Sequence, residues 1–203
     1  MSISEGWTDR RRAHEEEYFR QRDQELVDKA RLRAQEEGAR DRLAERAGVF
    51  DEDLLQTLQS LGYTAETVML LHVMPLLDVA WADGHVSHPE RDVIIAAARS
   101  RGVELGSPAD VQMAEWLANP PSDGLRDGTL HVLAAMLRMR PPEERMAVER
   151  DLLSSCTAVA SASGGVFGFR TISDQERQVL DWIIDEVTCS GDMSSTGDPD
   201  PPE

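Results

Sequence analysis

Between residues 51 and 188 the apolar side chains recur three and four positions apart, which is the spacing of one buried face of a helix. Asp51 predicts the N-cap of a short helix carrying Leu54, Leu55, Leu58 and Leu61, with Gly62 as its stop. Thr64 predicts the cap of a longer helix reaching Ala82, with Val68, Leu71, Leu76, Val79 and Ala80 as its buried stripe. Pro75 lies inside that run, where it removes a backbone donor and crowds the preceding turn, so a kink is expected. Asp83-Gly84 then breaks the helix. Ser87-His88-Pro89-Glu90 has the spacing of a capping box with proline in the first turn, and predicts a helix to about Arg101 that stops at Gly102 and buries Val93, Ile94, Ala97 and Ala98.

The same grammar continues downstream. Ser107-Pro108 opens a helix running through Val111, Trp116 and Leu117 to the Asn119-Pro120-Pro121 stop. After a turn rich in Asp and Gly, Leu130, Leu133, Ala134 and Leu137 mark a helix ended by Pro141-Pro142, and two more are expected over residues 143–162 and 173–187. The fold class read from these signals is all-α. Residues 190–203, dominated by Ser, Gly, Asp and Pro, hold too few apolar side chains to offset the entropy of ordering and are expected to be a disordered tail.

Residues 1–48 carry a different pattern, dense in Arg, Glu, Gln and Ala, with Tyr18, Phe19, Leu26, Val27, Leu32 and Leu43 scattered among them. Pairs such as Glu16/Arg20 and Glu25/Lys29 sit at the i, i+4 spacing that supports an exposed helix. Two readings of this charged arm stand side by side: a solvated helix, or a partner-binding or self-associating helix that uses Phe19, Leu26 and Ala30 as a narrow stripe.

Charge sharpens the division. The arm holds 11 Arg or Lys against 12 Asp or Glu, leaving 10 against 26 in residues 49–203, so nearly all of the formal net charge of -17 belongs to the body. A surface of that sign repels phosphate backbones and anionic lipid heads and attracts cations or basic partners, so nucleic-acid binding is not expected. With no apolar run long enough for a bilayer and a polar start, membrane insertion is not expected either, and a cytoplasmic location is. Cys156 and Cys189 lie far apart, outside any metal-binding spacing, and read as ordinary thiols.

An internal match stands out. Val79-Ala80-Trp81-Ala82-Asp83-Gly84 aligns with Val159-Ala160-Ser161-Ala162-Ser163-Gly164 at Val, Ala, Ala and Gly. Val86-Ser87-His88-Pro89-Glu90-Arg91-Asp92-Val93 aligns with Ile172-Ser173-Asp174-Gln175-Glu176-Arg177-Gln178-Val179 at Ser, Glu, Arg and Val. An insertion, residues 166–171, separates the two halves of the second copy. The expected architecture is a helical bundle of two pseudo-symmetric helix-turn-helix repeats, about 64–102 and 143–188, within a domain spanning residues 49–189.

The first turn supplies the candidate chemistry. Residues 83–90 have the Asp, Gly, aliphatic and Glu of the second half of an EF-hand loop, but the first half would need oxygens from Val79 and Trp81, which have none to give. A looser cation site among Asp78, Asp83, Glu90 and Asp92 competes with an architectural reading. In the latter Asp83 stops a helix, Glu90 completes a capping box and Asp92 complements the helix dipole. His85 and His88 flank the turn and read as solvent-exposed, whereas His72 and His131 fall within helices and read as partly buried. No nucleophile stands beside a base, and Gly164, Gly165 and Gly168 match no phosphate-loop spacing, so no catalytic residue is assigned and no enzyme is expected.

The stretch from Val79 to Ser87, continued by Glu90-Arg91, resembles the signature turn of the TerB-like tellurite-resistance family, and the likeness extends over residues 64–188. That resemblance implies an internally duplicated, acidic helical domain that acts in tellurite or other chemical stress without catalysis. It also implies a divalent metal ion held at the positions matching Asp78, Asp83 and Glu90, and protein partners in a complex at the inner face of the membrane. Ser163, standing where the first copy has Asp83, departs from the pattern and removes one ligand from any second site. A related domain precedes a J-domain in membrane-tethered co-chaperones, but His88-Pro89-Glu90 is not the His-Pro-Asp of that module. The alternative to the TerB-type role is a structural or oligomerising module acting through the arm, with no metal.

Overall fold

The structure, a computed structural model, describes residues 3–162 and 172–188, and of residues 3–16, 18 and 19 the backbone alone. The expected tail at 190–203, the inserted segment 166–171, Ser163, the glycines 164, 165 and 168, and Cys189 lie outside the described residues. All regular structure within them is helical: α1 (Ile3–Ala47), α2 (Glu52–Ser60), a 3-10 turn (Val68–His72), α3 (Met74–Ala80), α4 (His88–Ser100), α5 (Pro108–Ala118), α6 (Asp123–Arg138), α7 (Pro142–Ala162) and α8 (Asp174–Thr188).

The chain divides into two compact units, Met1–Arg42 and Leu43–Glu203. The first is the bulk of α1, and each of its side chains from residue 20 to residue 37 is exposed, Leu26, Val27 and Leu32 included. The second unit begins where burial begins: Leu43, Ala44 and Val49 belong to its core.

Within the body, α3 is buried along its whole length, because six of its seven residues are apolar and they cover every side of the helix. It packs against α4, α6, α7 and α8, while α4 also lies on α7 and α6 on α8. The expected stripe of Val68, Leu71, Leu76, Val79 and Ala80 is buried as read, but the single kinked helix is not found. The run is split into a 3-10 turn and a fresh helix with Pro75 in its first turn. A first-turn residue has no intrahelical acceptor for its N–H, so proline costs least there; in mid-helix it would cost about 3 kcal/mol.

The start signals downstream operate as the sequence indicates. Asp51, Ser87 and Ser107 each accept a hydrogen bond from the backbone N–H three residues on, and Gly62 and Gly102 turn the chain out of α2 and α4 with positive φ. The expected Asp- and Gly-rich turn after Pro121 is instead the first part of α6, capped by Ser122. Glycine is tolerated there because α2 and α6 approach closely: a Cβ on Gly128 would stand 2.7 Å from Leu61 Cδ2. In α4, Ile94 and Ala98 are buried while Val93 and Ala97 are half-buried, and Val111 of α5 is exposed.

These placements predict opposite outcomes for two aliphatic truncations. Leu77→Ala, at the centre of α3, should lower the unfolding free energy by about 2–5 kcal/mol, whereas Val111→Ala should change it by less than about 0.5 kcal/mol. Urea denaturation of the two variants beside wild type checks this, and comparable losses would mean that α3 is not the core.

Candidate functional site

Of the carboxylates singled out by the sequence, Asp83 lies in the turn between α3 and α4 and Glu90 in the first turn of α4, and both have a local task. Asp83 Oδ1 accepts a hydrogen bond from the backbone N–H of His85 at 3.2 Å and lies 3.1 Å from His85 Nδ1, so the carboxylate ties down the turn beside Gly84. Gly84 itself, at φ +90°, adopts a conformation that an L side chain disfavours. His85 and His88 are exposed, as read.

Glu90 is the second member. Its Oε2 accepts the backbone N–H of Ser87 at 2.7 Å while Ser87 Oγ accepts that of Glu90 at 3.4 Å, closing the capping box. The side chain is only 2% exposed. Burial raises its pKa, the bonds to Ser87 oppose the rise, and the neighbouring carboxylates of Asp83 and Glu176 add to it.

The third member points elsewhere. Asp78, 3% exposed, lies inside the body with Arg126 Nε 3.6 Å from its Oδ1, and neither carboxylate oxygen nor that Nε makes a hydrogen bond to another described residue. Burial lifts the Asp78 pKa to about 7; Arg126 pulls it back, and Asp127 and Asp123 push it up. Close by, the buried Tyr63 hydroxyl and Thr129 Oγ1 share a hydrogen bond of 3.0 Å. Among the described residues no group of three or more His, Cys, Asp or Glu side chains is placed to hold a metal ion. The expected ligand set of Asp78, Asp83 and Glu90 therefore does not converge, because one carboxylate faces inward to Arg126 and the other two are engaged by the turn and the helix start. Asp92 is exposed on α4.

Two residues flanking this turn have roles that the sequence alone did not disclose. Trp81 Nε1 donates to the Trp116 carbonyl and Arg91 Nη2 to the Leu117 carbonyl, both at 2.9 Å, so the two bind carbonyls at the C-terminal end of α5, which lack intrahelical partners. The signal missed was that helix end: a stop at Asn119-Pro120-Pro121 leaves carbonyls that some donor must satisfy.

At the start of α8 the arrangement recurs. Glu176 Oε2 accepts the Ser173 N–H at 2.6 Å, Ser173 Oγ accepts the Glu176 N–H at 3.1 Å, and Glu176 is 3% exposed. Cys156 on α7 is buried and its thiol is pushed up to about 12 by burial, with Asp78 adding and Arg101 opposing, so it is no nucleophile at neutral pH. His131 departs from expectation: it is exposed on α6, with Nδ1 3.5 Å from Glu186 Oε1. His72 is half-buried as read, and burial, with Arg101 and Arg140 nearby, lowers its pKa to about 4. No family model matches the sequence, and no curated protein or solved structure matches it.

Asp78 and His72 carry opposed pH dependences. A carboxyl whose pKa is raised in the folded state contributes stability at low pH that is lost as pH rises from about 4 to about 7. An imidazole whose pKa is lowered contributes stability above about 6.5 that is lost as pH falls toward about 4. Around pH 5.5 both the folded and the unfolded pair hold one proton, so the two slopes cancel. Asp78→Asn should therefore expose a loss of stability on acidification between pH 6.5 and 4, and His72→Gln a loss on alkalinisation over nearly the same window. Each should reach roughly 3–4 kcal/mol at full extent. Glu90 contributes equally to both variants, so the difference between their melting curves from pH 4 to 8 isolates the pair, and identical profiles would refute it.

At the helix start, Glu90→Ala should cost about 1–2 kcal/mol because it leaves the Ser87 N–H without its acceptor. Glu90→Gln keeps an acceptor oxygen and removes a buried charge, so chemical denaturation at pH 8 should place it above Glu90→Ala and within about 0.5 kcal/mol of wild type.

Proposed function

We propose that this chain is a non-catalytic binding protein of the TerB type, an acidic helical body that recruits basic protein partners in a tellurite or chemical stress response inside the cell. The supporting observation is the recurrence of one uncommon device. Two helix starts, Ser87/Glu90 and Ser173/Glu176, each bury a carboxylate almost completely, and Glu176 is near enough to raise the Glu90 pKa. We read α3 with α4 and α7 with α8 as two copies of a helical hairpin, the duplication that the TerB resemblance implies.

Basic partners precede cations in this reading, because the carboxylates matching the family's metal positions are spent on the turn, the cap and Arg126. Calorimetric titration of calcium, magnesium, manganese and zinc into wild type, Asp83→Ala and Glu90→Ala separates the two. The expected result is the same heats from all three proteins; a specific heat present in wild type and lost in the variants would transfer the role to a divalent metal ion at this turn.

A second reading rests on α1. Its described side chains from residue 20 to residue 37 are exposed, Leu26, Val27 and Leu32 among them, which suits a helix that docks or self-associates. Deleting residues 1–42, which spares the core residues Leu43 and Ala44, and measuring mass by light scattering tests it: if the arm does not self-associate, the truncated and full-length proteins have the same oligomeric state, whereas arm-driven oligomerisation is lost on truncation.

A further inference from the structure

A cavity of about 390 Å³ lies away from the α3–α4 turn, lined by His72, Arg101, Arg140, Ala147, Val148, Asp151 and Leu152. Four elements meet there: the end of the 3-10 turn supplies His72, the C-cap of α4 Arg101, the residue pair after α6 Arg140, and α7 the rest. Leu152 is buried, His72, Arg101 and Val148 are half-buried, and Arg140, Ala147 and Asp151 are exposed. The size falls at the lower end of the ~300–1,000 Å³ typical of small-molecule sites.

Its charge runs against that of the body. Arg101 is already engaged, donating from Nη1 to the Ala97 carbonyl at 3.2 Å and from Nη2 to Asp151 Oδ2 at 2.6 Å. Arg140 is not: among the described residues its guanidinium has no hydrogen-bond or ion-pair partner, and the His72 ring likewise makes no hydrogen bond. Two guanidinium groups against one carboxylate leave a local excess of one positive charge in a domain that is otherwise strongly acidic. A planar guanidinium with free N–H groups takes a carboxylate in a fork, and the methyl-bearing wall of Ala147, Val148 and Leu152 gives an apolar body somewhere to lie.

We propose that this cavity binds a small organic anion, a carboxylate on an aromatic or aliphatic body, with Arg140 holding the carboxylate and Val148 and Leu152 packing on the body. The binding is independent of any role of the α3–α4 turn, since none of the seven lining residues belongs to it.

Benzoate is the probe, followed on the full-length protein by shifts of the His72 ring and of the Val148 and Leu152 methyl groups in NMR titrations. Saturable shifts are expected with benzoate and not with benzyl alcohol or benzylamine, and inorganic phosphate, lacking the apolar body, should bind more weakly. Arg140→Gln should weaken benzoate about tenfold, and because Arg140 is exposed and unpartnered the fold should be intact. Asp151→Asn should tighten binding by releasing Arg101. Absence of saturation, an Arg140→Gln curve that overlays wild type, phosphate binding as tightly as benzoate, or an Asp151→Asn variant no tighter than wild type would each overturn the assignment.

Discussion

The architecture of the body depends on the complete enclosure of one short helix. Seven residues with no exposed side cannot be stable alone, since an isolated helix of that length does not hold together in water. Their stability comes from α4, α6, α7 and α8 closing around them. That enclosure also fixes the electrostatics: the one polar residue in α3, Asp78, is sealed in with it, and Arg126 reaches in from α6 to meet it. A carboxylate trapped this way gives up much of its preference for ionisation, which is why its proton is retained to near neutrality.

Much of this was legible in the amino acids, and the parts that were not share a physical reason. Caps at Asp51, Ser87 and Ser107 and the stop at Gly62 are local events, decided by residues within one turn of each other, and they read directly. Pro75 was legible as a disturbance but not as a new beginning, because the choice between kinking and restarting a helix depends on what surrounds it. Gly128 misled in the same manner: its meaning lies in Leu61, 67 positions earlier, and a spacing argument along the chain cannot see that partner. The carboxylates of the first turn lie close together in sequence, and two of them, Asp83 and Glu90, do sit at the turn and the helix start that follows it. Sequence distance, however, does not say which way a side chain faces, and Asp78 turns inward to a residue 48 positions away.

The two surfaces of the chain differ in kind. On α1, charges of both signs alternate and the scattered apolar side chains find no cover within the stretch from residue 20 to residue 37. The body instead concentrates negative charge, and three of its arginines are paired with carboxylates: Arg99 with Asp110, Arg101 with Asp151, Arg126 with Asp78 and Asp123. Those three arginines tie neighbouring helices together, and with 26 carboxylates against 10 basic side chains the field the body projects is negative.

The grip of Trp81 and Arg91 on the end of α5 has a mechanical corollary. These donors sit on opposite sides of one loop, yet they hold adjacent carbonyls, so the loop and the helix end behave as a single lever. Any molecule that displaces the loop must drag α5 along or break both hydrogen bonds and leave two peptide oxygens without these donors. Events at the α3–α4 loop are thus transmitted to a helix that shares no sequence with it.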